Sequence, residues 1–129
     1  MLKGSKAFTS FSVNDINKAK DFYGKTLGLD VEEVKEMKGL LILNIADENK
    51  IMIYHRPNHT PAAYTVLNFP IHNIDETVDE LTNKGIKLER YKGMDQDEKG
   101  ILRGKSKNKG PDIAWFTDPA GNILSIIQE

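Results

Sequence analysis

Apolar and polar residues alternate from Ala7 to Val13 (AFTSFSV), in a run rich in β-formers. The alternation stops at Asn14-Asp15, side chains that accept hydrogen bonds from the first free N–H groups of a helix. Over 15–27 the period changes: Ile16, Ala19, Phe22, Tyr23 and Leu27 share one helical face, while Lys18, Lys20 and Asp21 lie elsewhere. Gly28 follows where a left-handed C-cap costs little. Three strand signals come next, at 29–34, 40–45 and 50–55, separated by the turn-forming Met37-Lys38-Gly39 and Asp47-Glu48-Asn49. Arg56-Pro57-Asn58-His59-Thr60-Pro61 then breaks the pattern, because two prolines disfavour helix and cannot donate to a central ladder.

The same order returns after this break. Ala63 to Ile71 (AYTVLNFPI) reads as a strand, and Ile74, Val78 and Leu81 as the buried face of a helix closed by Gly85. Asn73 with Glu76 three residues on resembles a capping box. Lys87–Tyr91 alternates as a strand, and 112–117 with 122–128 forms a hairpin around Asp118-Pro119-Ala120-Gly121. The expected fold is therefore α+β: two tandem βαβββ modules, at about 5–56 and 63–129 with a linker at 57–62, forming a curved, mixed and largely antiparallel sheet around a concave pocket in one domain. Gly93–Gly110 interrupts the second module, and a connection of that length is either a functional lid or disordered. Phe11 and Val13 align with Phe69 and Ile71 under the helices. The opposite strand faces carry Phe8, Ser10 and Ser12 in one half and Tyr64, Val66, Asn68 and Pro70 in the other.

Composition narrows the function. In 129 residues, 39% hydrophobic and 29% charged, a core forms without disulfides or structural metals. Eighteen Lys and Arg against 19 Asp and Glu leave a formal net charge of -1, which argues against nucleic acid as a partner. No apolar run approaches the roughly 20 residues that span a bilayer, and no signal core follows the N-terminal charges, so no membrane partner and a cytoplasmic location are expected. The absence of cysteine removes thiolate nucleophiles and Cys-based metal sites.

Phe11-Ser12-Val13-Asn14-Asp15-Ile16 leading to Asp21-Phe22-Tyr23 and Leu27-Gly28-Leu29, together with Trp115-Phe116-Thr117-Asp118-Pro119-Ala120-Gly121-Asn122, resembles the vicinal oxygen chelate superfamily. This group contains glyoxalase I, the extradiol dioxygenases and the bleomycin- and fosfomycin-resistance proteins. The resemblance spans essentially the whole chain, and it implies a small-molecule pocket and a homodimer. Metal enzymes of the family place His or Gln near the start of each module's first strand and Glu or His on each last strand. The matching positions here are Phe8 and Val66, then Ser125 and either Met52 or Tyr54. Such a set suits divalent ions poorly, so no metal and no cofactor are expected. The rival expectation is a lyase, isomerase or dioxygenase using Zn, Ni, Mn or Fe through other ligands, His55 foremost.

Other chemistry is sparse. Neither Ser10, Ser12 nor Ser125 lies in a Gly-x-Ser-x-Gly elbow, and Gly100–Gly104 does not link a strand to a helix as a phosphate loop would. His55, His59 and His72 lack metal-ligand spacing and read as solvent-exposed. Arg103, Lys105, Lys107 and Lys109 form a basic cluster that would meet an anionic ligand, and Phe8, Tyr54, Tyr64 and Trp115 would hold an aromatic one. The predicted ligand-binding set is Phe8, Ser10, Tyr54, Tyr64, Val66, Asn68, Arg103, Trp115 and Ser125.

Overall fold

The computed structural model describes residues 1–129 as two compact units, Met1–Thr60 and Pro61–Glu129. Each is a βαβββ module. In the first, β1 (Thr9–Val13), α1 (Ile16–Lys20), β2 (Asp30–Glu33), β3 (Leu40–Ile45) and β4 (Asn49–His55) form a sheet ordered β1-β4-β3-β2, with β1 parallel to β4 and the other pairs antiparallel. In the second, β5 (Thr65–Ile71), α2 (Ile74–Asn83), β6 (Leu102–Arg103), β7 (Asp112–Thr117) and β8 (Ile123–Gln128) repeat the arrangement as β5-β8-β7-β6.

Both helices begin where the sequence places them. The Asp15 carboxylate accepts from Lys18 N–H at 3.0 Å, and Asn73 Oδ1 accepts from Glu76 N–H at 3.1 Å. The first helix departs from the prediction after one turn. Asp21–Thr26 winds as a π-helix, and Leu27 N–H reaches back to Phe22 O at 2.9 Å. The wider turn carries Tyr23, fully buried, against Phe11, with ring centroids 6.0 Å apart. Gly28 then takes φ +74°, the left-handed conformation that a β-carbon resists.

Strand alternation divides each sheet into two faces. Val13, Leu41, Leu43 and Ile53 in the first unit, and Ala114, Phe116, Leu124 and Ile126 in the second, are buried on the helix side with Ala19 and with Ile74, Val78 and Leu81. The Asp118-Pro119-Ala120-Gly121-Asn122 turn is itself part of this framework. The buried Asp118 carboxylate accepts from Ala120 N–H, Asn122 N–H and Asn122 Nδ2, each at 2.9 Å.

Two predictions about the second unit are corrected. Lys87–Tyr91 does not form a strand: its one cross-link to β7 is Glu89 N–H to Trp115 O at 2.7 Å. The strand beside β7 is instead β6, inside the insertion. That insertion is neither free nor disordered. Gln96 bridges to Leu102, Ile101 is fully buried, and Lys105–Lys107 forms a 3₁₀ turn.

Candidate functional site

The face of each sheet away from its helix carries the residues that could meet a ligand. In the first unit, Phe8 lies just before β1, 61% exposed, and lines an apolar pocket of about 110 Å³ with Ile42, Lys50, Ile51 and Met52. Ser10 is exposed opposite Met52, and Tyr54 is half-buried opposite Ser12. The register resolves the choice between Met52 and Tyr54. Ser10 pairs with Met52 as Asn68 pairs with Ser125, so Met52 is the counterpart of Ser125.

The second unit holds a larger cavity, about 390 Å³, lined by Ala63, Tyr64, Thr65, Tyr91, Met94, Trp115 and Ile123. Trp115 is nearly buried and meets the Tyr91 ring edge-on, with centroids 5.6 Å apart and planes at 81°. Tyr64 stands at the rim, 70% exposed. The Tyr91 wall is held by one side chain. Gln96 Oε1 accepts from Tyr91 N–H at 2.9 Å, while its Nε2 donates to Glu89 O at 2.9 Å and to Gly100 O at 2.7 Å. The Tyr91 hydroxyl is buried without a hydrogen-bond partner, and burial, with the Glu89 carboxylate adding to it, pushes the phenol above its usual range.

The predicted set therefore divides. Tyr64 and Trp115 share the larger cavity, and Phe8 lies in the smaller pocket. Ser125 is fully buried, and its hydroxyl donates to Asn68 Oδ1 at 2.5 Å. Val66 sits at a bulge where β5 shifts register against β8, between Thr65 and Leu67. Arg103 belongs to neither cavity, which corrects its expected role toward an anionic ligand. Its guanidinium forks onto Asp75 at 2.7 and 2.9 Å and binds Asp97 at 2.9 Å. Lys107, of the same basic cluster, is paired with Asp95.

His59 also departs from expectation. It is half-buried, with Nδ1 2.6 Å from Ser12 Oγ, whereas His55 and His72 are exposed. Sequence separation of 47 residues hid this pair. Tyr91, Met94 and Ile123 were also missed. The aromatic side chain of Tyr91 at the end of an apolar-polar run is the one sequence signal for the first, and nothing in the Gly-rich insertion marks Met94.

At the four positions that the resemblance implies for metal ligands, the chain offers a phenyl ring, an isopropyl group, a thioether and a hydroxyl that Asn68 already engages. No three His, Asp or Glu side chains gather into a metal-binding group. These residues do not make a donor set for a divalent ion.

Tandem βαβββ units with a ligand-sized cavity on a helix-free sheet face define a class of small α+β proteins. Within that class, the Glyoxalase/Bleomycin resistance protein/Dioxygenase superfamily model matches residues 7–126, and the chain belongs to this superfamily. No curated protein sequence matches the chain. Among solved structures, it is similar to TnmS3, an antibiotic binding protein from Streptomyces sp. CB03234, at 21% identity and TM-score 0.66, covering 97% of each chain. It is similar to FosX, a fosfomycin resistance protein from Listeria monocytogenes, at 16% identity and TM-score 0.69, covering 98% of this chain and 91% of that one. A superfamily member from Sphaerobacter thermophilus DSM 20745 matches at 20% identity and TM-score 0.65, covering 95% of this chain and 97% of that one. At these identities the likeness carries the fold. No helix is long and apolar enough to cross a membrane.

Proposed function

We propose that the chain is a metal-independent small-molecule-binding protein that sequesters an aromatic ligand in the cavity of its second unit. The observation that carries this reading is an aromatic cavity in the second unit, in a chain with Phe8, Met52, Val66 and Ser125 where the family resemblance implies metal ligands. TnmS3, an antibiotic binding protein of similar fold, gives the reading its precedent. The proposal includes a homodimer in the cytoplasm, and light scattering would then give twice the 14.5 kDa chain mass.

The test is a thermal-shift screen of chelator-treated protein against divalent metals and a library of aromatic small molecules. A ligand bound only by the folded state raises the melting temperature. An organic hit that quenches Trp115, the single tryptophan, with no shift from Zn, Ni, Mn or Fe, is the expected result. Stoichiometric metal that stabilises the chain and is needed for ligand binding or turnover would overturn it.

A further inference from the structure

The walls of the larger cavity carry three aromatic rings, Tyr64, Tyr91 and Trp115, one thioether, Met94, and no charged side chain. Ring faces are electron-rich and attract cations, most strongly for Trp. Tyr91 and Trp115 stand at 81° to each other, so they form two walls of a corner instead of one stacked platform. Thioethers are polarizable and pack against flat rings without a fixed geometry.

One acidic residue is held next to this corner. Glu89 is half-buried, and its backbone is fixed beside Trp115 by the 2.7 Å bond from Glu89 N–H to Trp115 O. Its carboxylate adds to the upward shift of the Tyr91 phenol, whose ring forms one cavity wall. The cations on the neighbouring segments turn to other partners, and Arg90, between Glu89 and Tyr91, donates to Asp97 O at 2.6 Å. Arg103 is held by Asp75 and Asp97, Lys99 by Asp75 and Asp79, and Lys107 by Asp95. Lys92 follows Tyr91 in an exposed turn and does not line the cavity. The high-lying Tyr91 phenol stays neutral at physiological pH and adds no charge of its own.

We infer that the cavity formed by Tyr64, Tyr91, Met94 and Trp115, with Glu89 held to Trp115 through its backbone, selects flat aromatic cations and rejects aromatic anions of the same size. The inference rests on the cavity-binding reading above and names the ligand class of that site. It replaces the anionic ligand that the basic cluster suggested, because Arg103 and Lys107 of that cluster are paired with carboxylates and none of its four side chains lines the cavity.

Three acridine-sized probes test it on the full chain: 9-aminoacridine as cation, acridone as neutral ring and acridine-9-carboxylate as anion. Calorimetry, with quenching of Trp115 as a second readout, gives their affinities at low ionic strength. The cation should bind at least threefold tighter than the neutral ring and at least tenfold tighter than the anion. Glu89→Gln should shrink the cation-to-anion ratio severalfold. Glu98→Gln removes the same charge from the groove beside α2 and should leave that ratio unchanged. An anion that binds as tightly as the cation, a cation no tighter than the neutral ring, or a ratio unmoved by Glu89→Gln overturns the inference while the cavity still binds aromatics. If none of the three probes binds, the cavity-binding reading itself fails.

Discussion

The Tyr91 hydroxyl is buried with nothing to receive its proton, and a buried polar group without a partner costs on the order of 1–3 kcal/mol. Tyr91→Phe removes that cost while keeping the ring against Trp115, so stability in urea should hold or rise by about 1 kcal/mol. A loss of that size would show that the hydroxyl has a partner after all. Gly104 is fixed by space. A β-carbon there would lie 2.6 Å from Pro111 O and 2.9 Å from Gly110 O, so Gly104→Ala should cost about 1–3 kcal/mol. Gly24 lies in the helical segment with its nearest neighbour, Val31 Cγ2, at 3.5 Å, and Gly24→Ala should cost nothing and gain up to about 1 kcal/mol. Neither contrast is visible in the sequence, where both glycines are simply breaks in a pattern. The Ser12–His59 bond was hidden for a related reason: local periodicity says nothing about which residues meet across 47 positions.

At the scale of elements, one guanidinium ties the insertion to α2. Arg103 in β6 holds Asp75 in the first turn of α2 and Asp97 in the preceding loop, with Asp112 of β7 at 3.9 Å. Arg103→Met would leave Asp97 and Asp112 without their cation and Asp75 with Lys99 alone, and a loss of about 2 kcal/mol is expected by chemical denaturation. The same fork sets a pH dependence. The hydrogen bond from Arg103 holds the Asp75 carboxyl down from 3.8 to about 2. A carboxyl depressed in the folded state stabilises it above the unfolded value, so the contribution is complete above about pH 4 and fades as pH falls toward about 2. With the Asp75 side chain 44% exposed, screening keeps this below about 1 kcal/mol. Proteolysis of the 97–103 segment should accelerate across that window, and the acceleration should shrink in Asp75→Asn, leaving the part due to Asp97, whose carboxyl is also held down. This strut explains why the element prediction failed where it did. Lys87–Tyr91 has a strand's alternation, but the Gln96 side chain takes Glu89 O and Tyr91 N–H, the groups a ladder would use. Two residues, Leu102 and Arg103, then fill the place beside β7, too few to leave a periodic signal.

The repetition that the sequence displays at the scale of the whole chain is a repetition of topology. Asp15 and Asn73 cap equivalent helices, and β1 and β5 each run parallel to the last strand of their own unit. This level was legible because strand alternation, helix caps and turn residues are local properties, and two copies of one order reinforce each other. The cavity was half legible. Strand parity found Tyr64 and Trp115, while Tyr91 and Met94 reach the site through a loop whose path depends on side-chain hydrogen bonds. The shared topology also fixes where each unit should open last. β4 and β3, like β8 and β7, have a hydrogen-bonded neighbour on both sides, and they carry the buried Leu41, Leu43, Ile51, Ile53, Phe116, Leu124 and Ile126. β2 lies at an edge with only Val31 turned partly inward, and β6 is an edge two residues long. Amides in the inner strands must wait for the larger openings, whereas edge amides exchange through local fraying. Hydrogen exchange should therefore be slowest at Ile51, Ile53, Leu124 and Ile126. It should be at least tenfold faster in β2 and β6, a gap of about 1.4 kcal/mol in opening free energy. Protection at Leu102 and Arg103 equal to that at Ile126 would mean that the Arg103 strut, and not the sheet, sets the stability of that edge.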